Sequence, residues 1–312
     1  MESFREMSKE ELQAQEVEVN KKYQEFKDLH LSLNMARGKP APDQIDHANG
    51  MLETMTDYHA KDGLDVRNYG VLDGIPEMKE IFSDLLDIPA KNIIVGGNAS
   101  LNLMFDQMMR LVVFGTAGEK PWGQLEKVKF LCPAPGYDRH FSVTETLGFE
   151  LITVDMTSEG PDMDQVEKLV AEDESIKGIW CYSDETVDRL ASMKTAAKDF
   201  RIFWDNAYGV HPIFEDVKVK NILDACKEAG NDNRAYYFFS TSKITFPGAG
   251  VSIIASSDDN IAEIKKVMTA QTIGYDKINQ LRHVQFFKNA DGVRKHMQIL
   301  ADCLKPKFET VL

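Results

Sequence analysis

The sequence predicts an α/β fold: a mostly parallel central sheet sandwiched by helices. Three observations carry this. Compact apolar runs rich in Val, Ile, Phe and Trp alternate with stretches of helical apolar spacing. The runs end in Gly, Pro or a polar residue, as strands do before a turn. No internal repeat or low-complexity linker interrupts the alternation. Successive βαβ units of this kind bury both faces of a parallel sheet under helices.

Taken in order, residues 8–30 read as a polar, charge-laced helix, followed by a loop containing Arg37-Gly38-Lys39-Pro40. A helix is expected over 75–87, where apolar residues recur after a Gly-containing turn. A short strand at 92–95 ends in Gly96-Gly97-Asn98, and a helix pattern covers 99–113. The strand at 128–132 closes on Pro133-Ala134-Pro135-Gly136, and a helix-like stretch leads to the strand at 150–154. Helix 162–172 precedes strand 178–181, helix 184–197 precedes strand 201–204, and helix 220–229 precedes strand 236–239. Strand 251–255 comes last, and helices at 261–270, 277–287 and 293–312 finish the chain.

Bulk properties limit the function. The chain has 312 residues, 43% apolar and 28% charged, the balance of a globular protein with a sizeable core. A net charge of −14 argues against a nucleic-acid partner, which needs a basic footprint. It leaves room for a local basic pocket holding one small anion. The four cysteines, Cys132, Cys181, Cys226 and Cys303, form no CxxC pair and no metal-ligand spacing, so they read as buried reduced thiols. No run approaches 18 apolar residues and the charged N-terminus lacks a signal-peptide stretch. A soluble, cytoplasmic protein without membrane partners is expected.

In open α/β sheets, ligands bind beyond the carboxyl ends of the strands. Polar residues just after strands are therefore the place to seek chemistry, and three stand out. Asp205 ends the run Ile202-Phe203-Trp204; alone, such an acid is commonly a helix cap. Lys243 follows Phe238-Phe239-Ser240-Thr241-Ser242; alone, such a lysine is usually a solvated surface residue. A desolvated lysine, however, is a nucleophile fit to form a Schiff base. Gly96-Gly97-Asn98-Ala99-Ser100 joins a strand to a helix, where free backbone N–H groups suit a phosphate, though a Gly-Gly turn alone is weak. Together these supply what pyridoxal 5′-phosphate (PLP) needs: a phosphate cradle, a carboxylate for the ring nitrogen and a lysine.

The order of these motifs resembles the fold-type I, class I aminotransferases, in particular a bacterial aspartate aminotransferase-like branch. The motifs are Arg37-Gly38-Lys39-Pro40, Tyr69-Gly70-Val71-Leu72-Asp73-Gly74, Trp204-Asp205-Asn206-Ala207-Tyr208 and the run from Ser240 to Gly250. The resemblance spans nearly the whole chain. It implies the large domain of a PLP transferase and a PLP-dependent transaminase, with Lys243 as the Schiff-base lysine that also shuttles the proton. Asp205 would pair with the pyridinium nitrogen, and Tyr208 would hydrogen-bond the 3′-oxygen. Tyr137 would stack on the ring, with His140 behind it supporting Asp205. Asn98, Ala99 and Ser100 would hold the phosphate, helped by Ser240 and Ser242. Tyr69 would reach the phosphate of a neighbouring subunit, which implies a homodimer with shared sites. Gly38 would lie near the substrate carboxylate, whereas Arg37 and Lys39 read as solvated loop.

The implied reaction moves an amino group from an amino acid, aspartate first, to a 2-oxo acid by ping-pong chemistry. Two alternatives stand beside it: a PLP-dependent C–S β-lyase, and a non-catalytic effector-binding module of the same fold. The implied organisation is an N-terminal helix and arm over 1–60, a PLP-binding domain over 61–285, and from 286 a linker helix. In the family that helix leads to a C-terminal small domain carrying the arginine for the substrate α-carboxylate. That domain is expected to be largely missing from this sequence. Two further departures are visible. A family loop with a Ser-Asn-Pro-Thr-Gly-like motif is absent between Cys181 and Tyr182. No arginine follows the lysine at the usual phosphate-binding position, where Gly250-Val251 stand.

Overall fold

In a computed structural model, described for residues 4–5, 7–32, 38–181, 186–215 and 219–311, the chain divides into two compact units, 1–39 and 40–312. The first unit holds helix α1 (Lys9–Asp28). Ser8 and Glu11 start it with a capping box, each side chain bonding the other's backbone N–H, and none of its residues is buried.

The second unit carries the sheet. Its elements in chain order are α2 (Pro42–Asp46), α3 (Pro76–Leu86), β1 (Ile93–Val95), α4 (Ser100–Phe114), β2 (Lys129–Ala134), α5 (Asp138–Thr146), β3 (Glu150–Thr157) and β4 (Gly160–Pro161). Then follow α6 (Met163–Glu172), β5 (Ile176–Cys181), α7 (Val187–Ser192), β6 (Arg201–Asp205), α8 (Ile222–Glu228) and β7 (Ala235–Ser240). The unit closes with β8 (Ser252–Ala255), α9 (Asp258–Gln271), α10 (Lys277–Phe287) and α11 (Ala290–Glu309).

The strands lie in the order β1-β8-β7-β6-β5-β2-β3-β4. Strands β3, β2, β5, β6 and β7 run parallel, with Ile179 beside Ile202 and Trp204 beside Tyr237. The mostly parallel expectation holds, with two reversals. Strand β8 runs antiparallel to β7 because only 11 residues separate them, too few for a helical crossover. Strand β4 pairs antiparallel with β3 across a tight turn. Since β1 is antiparallel to β8, β1 points the same way as the parallel set. The carboxyl ends of β1, β2, β5, β6 and β7 therefore share one edge.

Period-2 alternation splits the strand side chains between two cores. Phe130, Trp180, Phe203, Phe238 and Ile254 face one side, covered by Leu103, Met104 and Met108 of α4 and Ile264 and Met268 of α9. Leu131, Ile179, Trp204, Phe239 and Ile253 face the other, under Phe82 of α3, Val166 of α6, Leu281 of α10 and Met297 of α11. The first side is an aromatic cluster: the Phe203 ring lies 4.9 Å from Trp180 and 5.6 Å from Phe238. Such pairs add about 0.5–1.5 kcal/mol each beyond area burial. Gly178 makes this packing possible, since a Cβ there would stand 2.4 Å from the Phe130 ring and 2.5 Å from the Arg201 carbonyl.

The helix expected over 184–197 is shorter, Val187–Ser192, and the residues at its expected start lie outside those described. Beyond Ser192 the chain leaves the helix to pair with α6, the Ala196 N–H donating to the Val170 carbonyl. Among the described residues no helix is long and apolar enough to cross a membrane.

Candidate active site

The shared strand edge collects most of the residues selected from the sequence. Asp205 is the last residue of β6, its side chain 11% exposed. Its Oδ2 lies 3.0 Å from His140 Nε2. A carboxylate only accepts hydrogen bonds, so Nε2 carries the proton. The His140 ring is 1% exposed and lies flat on Trp180 at 4.4 Å, with an interplanar angle of 5°. Trp180 Nε1 donates to Thr144 Oγ1, which donates to the His140 carbonyl. The imidazole is thus fixed from below and holds Asp205 in one orientation. The second carboxylate oxygen, Oδ1, is buried and has no hydrogen-bond partner. Burying an unpaired carboxylate oxygen is costly unless a donor arrives.

Tyr137 stands at the N-cap of α5, 48% exposed, its ring edge-on to His140 at 5.1 Å. Across the edge, Tyr208 is 58% exposed, and Lys243 Nζ lies 5.8 Å from the centre of its ring. His211 packs against the same tyrosine at 5.5 Å. Burial, and then the charge of Lys243, push the His211 imidazole down to about 4, so it is neutral near pH 7.

Lys243 ends a 3-10 turn, Thr241–Lys243, that follows β7 directly. Ser240 Oγ accepts from the Ser242 N–H at 3.4 Å, and Ser242 Oγ donates to the Asn98 carbonyl at 3.0 Å. That bond joins the lysine turn to the glycine turn after β1. Gly250 lets the two approach: a Cβ there would stand 3.0 Å from Ser242 Oγ and 3.2 Å from the Asn98 carbonyl. Ser252 N and Oγ both bond the Gly97 carbonyl at 2.8 Å. Ala99 is the N-cap of α4 and offers no side-chain cap, so the helix begins with backbone donors that no cap occupies. Helix α4 has 15 residues, and its macrodipole favours an anion at this end.

Asn98, Ala99, Ser100, Ser240, Ser242 and Lys243 therefore meet around two joined turns, and His140, Asp205, Tyr137 and Tyr208 lie on the neighbouring strand ends. Tyr69 is 79% exposed in the loop before α3, its N–H donating to Asn68 Oδ1. Gly38 belongs to the first unit. Arg37 and Tyr182–Glu185 lie outside the described residues. Several contributors were not singled out in the sequence. His283 of α10 bonds Thr241 and Thr245 through Nε2 (3.1 and 3.3 Å) and Asn279 O through Nδ1. Asn279 Nδ2 donates to the Ala249 and Gly250 carbonyls at 3.1 and 2.8 Å. Their only sequence signal is i, i+4 spacing on one helix face, which any amphipathic helix shows.

Comparison with known proteins settles the family. The family profile described as aspartate amino-transferase matches residues 7–312. The chain belongs to the aspartate aminotransferase family. It is 43% identical over 310 residues to an aspartate aminotransferase of Corynebacterium glutamicum, covering 95% of this chain and 72% of that protein. An aminotransferase of Mycolicibacterium smegmatis is 46% identical over 326 residues, covering 99% of this chain and 76% of that one. The crystal structure of an aspartate transaminase from C. glutamicum superposes with a TM-score of 0.93 at 42% identity, covering 99% of this chain and 76% of that one. These relatives support a PLP-dependent transaminase and do not favour the lyase or the effector module.

Proposed function

We propose that this transaminase holds PLP at the edge just described and moves an amino group from an amino acid to a 2-oxo acid, with aspartate the first donor to test. The observation that carries the reading is Asp205. Its Oδ1 is buried without a partner while His140 holds Oδ2, so the site lacks one charged donor, which a protonated pyridine nitrogen supplies. The uncapped start of α4, with the hydroxyls of Ser100, Ser240 and Ser242, suits the phosphate ester.

When bound, PLP supplies an electron sink for the substrate carbon that bears the amino group. The protein's residues do the rest. Lys243 would hold the cofactor through Nζ and, once the substrate amine has displaced it, would carry the proton between the substrate α-carbon and the cofactor from the same atom. Asp205 pairs with the ring nitrogen, and His140 keeps Asp205 oriented. Tyr208 donates to the ring oxygen, and Tyr137 covers the ring face against water. Asn98, Ala99 and Ser100 bind the phosphate with Ser240 and Ser242.

The proposal extends to a homodimer in which Tyr69 serves the partner's site; its 79% exposure supports this. It also includes a division into an arm over 1–60, a cofactor domain over 61–285 and a linker helix from 286. A cytoplasmic location is supported by four free cysteines, with the buried Cys132 and Cys226 thiols pushed up to about 12 by desolvation. The test is a half-reaction in the PLP-loaded protein. Aspartate should convert the cofactor spectrum to its aminated form within a single turnover, and a 2-oxo acid should restore it. A spectrum that no amino acid changes would overturn the assignment.

A further inference from the structure

Apart from Lys243, which is proposed to bond the cofactor's carbonyl carbon, the two joined turns that form the anion site contribute neutral groups: backbone N–H groups at the start of α4 and the hydroxyls of Ser100, Ser240 and Ser242. A phosphate ester brings close to two negative charges into a protein of net charge −14. Neutral donors orient such a group, but a guanidinium or ammonium is what offsets its charge. Helix α10 presents one. Asn279, Arg282 and His283, spaced i, i+3 and i+4, lie on one face of that helix. Asn279 and His283 clamp this face onto the lysine turn, through the carbonyls of Ala249 and Gly250 and the hydroxyls of Thr241 and Thr245. Arg282 sits between them. One Nη donates to Asn279 Oδ1, and its Nε is buried with no hydrogen-bond partner. Gly250, whose carbonyl Asn279 holds, is the residue pressed against Ser242 and the Asn98 carbonyl. Arg282 is thus two hydrogen bonds from Gly250, with its Nε donor unspent. Asp276, an acid on the same helix, uses its carboxylate to cap Asn279 N at 3.0 Å.

We propose that Arg282 is the cationic partner of the cofactor's phosphate, reaching it from the far side of the 240–250 turn. This rests on the proposed PLP site. The charge is not set beside Lys243 on its own turn; a helix some 40 residues later supplies it.

The experiment compares two ligands that differ only in the phosphate. Dissociation constants of PLP and of pyridoxal are measured for the full-length apoprotein, wild type, Arg282→Gln and Arg282→Lys. The expected result is a loss of about 10–100-fold in PLP affinity for Arg282→Gln, the size of a charged hydrogen-bonded contact. Pyridoxal binding should stay within about threefold, and Arg282→Lys should fall between. Equal weakening of both ligands would mean that Arg282 acts only by positioning Asn279, and would overturn the proposal. Unchanged PLP affinity would overturn it as well. Thermal unfolding of the apoproteins identifies a variant that has not folded; if that is Arg282→Gln, the PLP-to-pyridoxal ratio of Arg282→Lys decides. Failure of the wild type to bind PLP would instead refute the cofactor reading itself.

Discussion

The two edges of the sheet use polar residues in opposite ways. At the amino edge, Asp199 is 1% exposed and receives Lys177 Nζ and Trp122 Nε1, each at 2.7 Å. Nearby, Arg201 donates to Thr116 Oγ1 and the Phe200 carbonyl, and Arg234 donates to the carbonyls of Leu190, Ala191 and Met193. A cleft of about 600 Å³ opens there, and on its wall Lys91 pairs with Asp258. None of the residues selected for chemistry lines it. At the carboxyl edge, Asp205 Oδ1, His140 Nδ1 and His211 Nε2 are buried without partners, and Tyr137 and Tyr208 stand half exposed. One edge pairs its polar groups within the fold, and the other leaves several of them buried and unpaired. An acid at each edge marks the contrast: Asp199 is fully paired, and Asp205 is the residue proposed to meet the cofactor.

That contrast can be broken at either acid. Asp205→Asn keeps the size and an acceptor for His140 but removes the charge that keeps a ring nitrogen protonated. Turnover should fall by about 10²–10⁴-fold, in the range of a lost acid–base partner. Chemical denaturation should move by less than about 1 kcal/mol. A variant that keeps its turnover would place the chemistry elsewhere. Asp199→Asn, by contrast, leaves the Lys177 ammonium buried and unpaired. A loss of about 3–5 kcal/mol in unfolding free energy is expected, with the reactivity of Lys243 unchanged. Measured stability within about 1 kcal/mol of wild type would remove the distinction between the edges.

Much of this division is legible in the sequence, and the limits are physical. Strand ends are marked by period and apolarity, so Asp205, Lys243 and Asn98 can be placed at one edge from the residue pattern alone. Lys177 and Asp199 cannot be told from surface charges in that way, because their burial depends on strands packed from distant segments. The reversal of β8 follows from a short connection, which the apolar pattern does not register. Arg282 and His283 lie on an ordinary amphipathic helix, and only its docking against the lysine turn gives them meaning. Tyr69 is 79% exposed, and its proposed role needs a second copy of the chain.

A smaller effect tests the buried imidazoles at the carboxyl edge. Burial holds both His211 and His283 at about 4 against an ordinary 6.5, the Lys243 charge adding to the shift in His211. Above pH 6.5 folded and unfolded chains both carry neutral histidines. As pH falls from about 6.5 to about 4, the unfolded chain takes up protons that the fold refuses, so stability should drop through that window and level off below it. The expected loss is about 1–3 kcal/mol per histidine, read from urea unfolding at pH 7 and pH 5. His283→Gln should shrink the difference between the two pH values. A difference unchanged in that variant would show that the imidazole titrates normally.

The most direct test of the account is to incubate the protein with PLP, reduce it with borohydride and map the adduct by peptide mass. The account predicts one cofactor adduct, on Lys243, absent from Lys243→Ala. An adduct on another lysine, or none on the wild type, would contradict it.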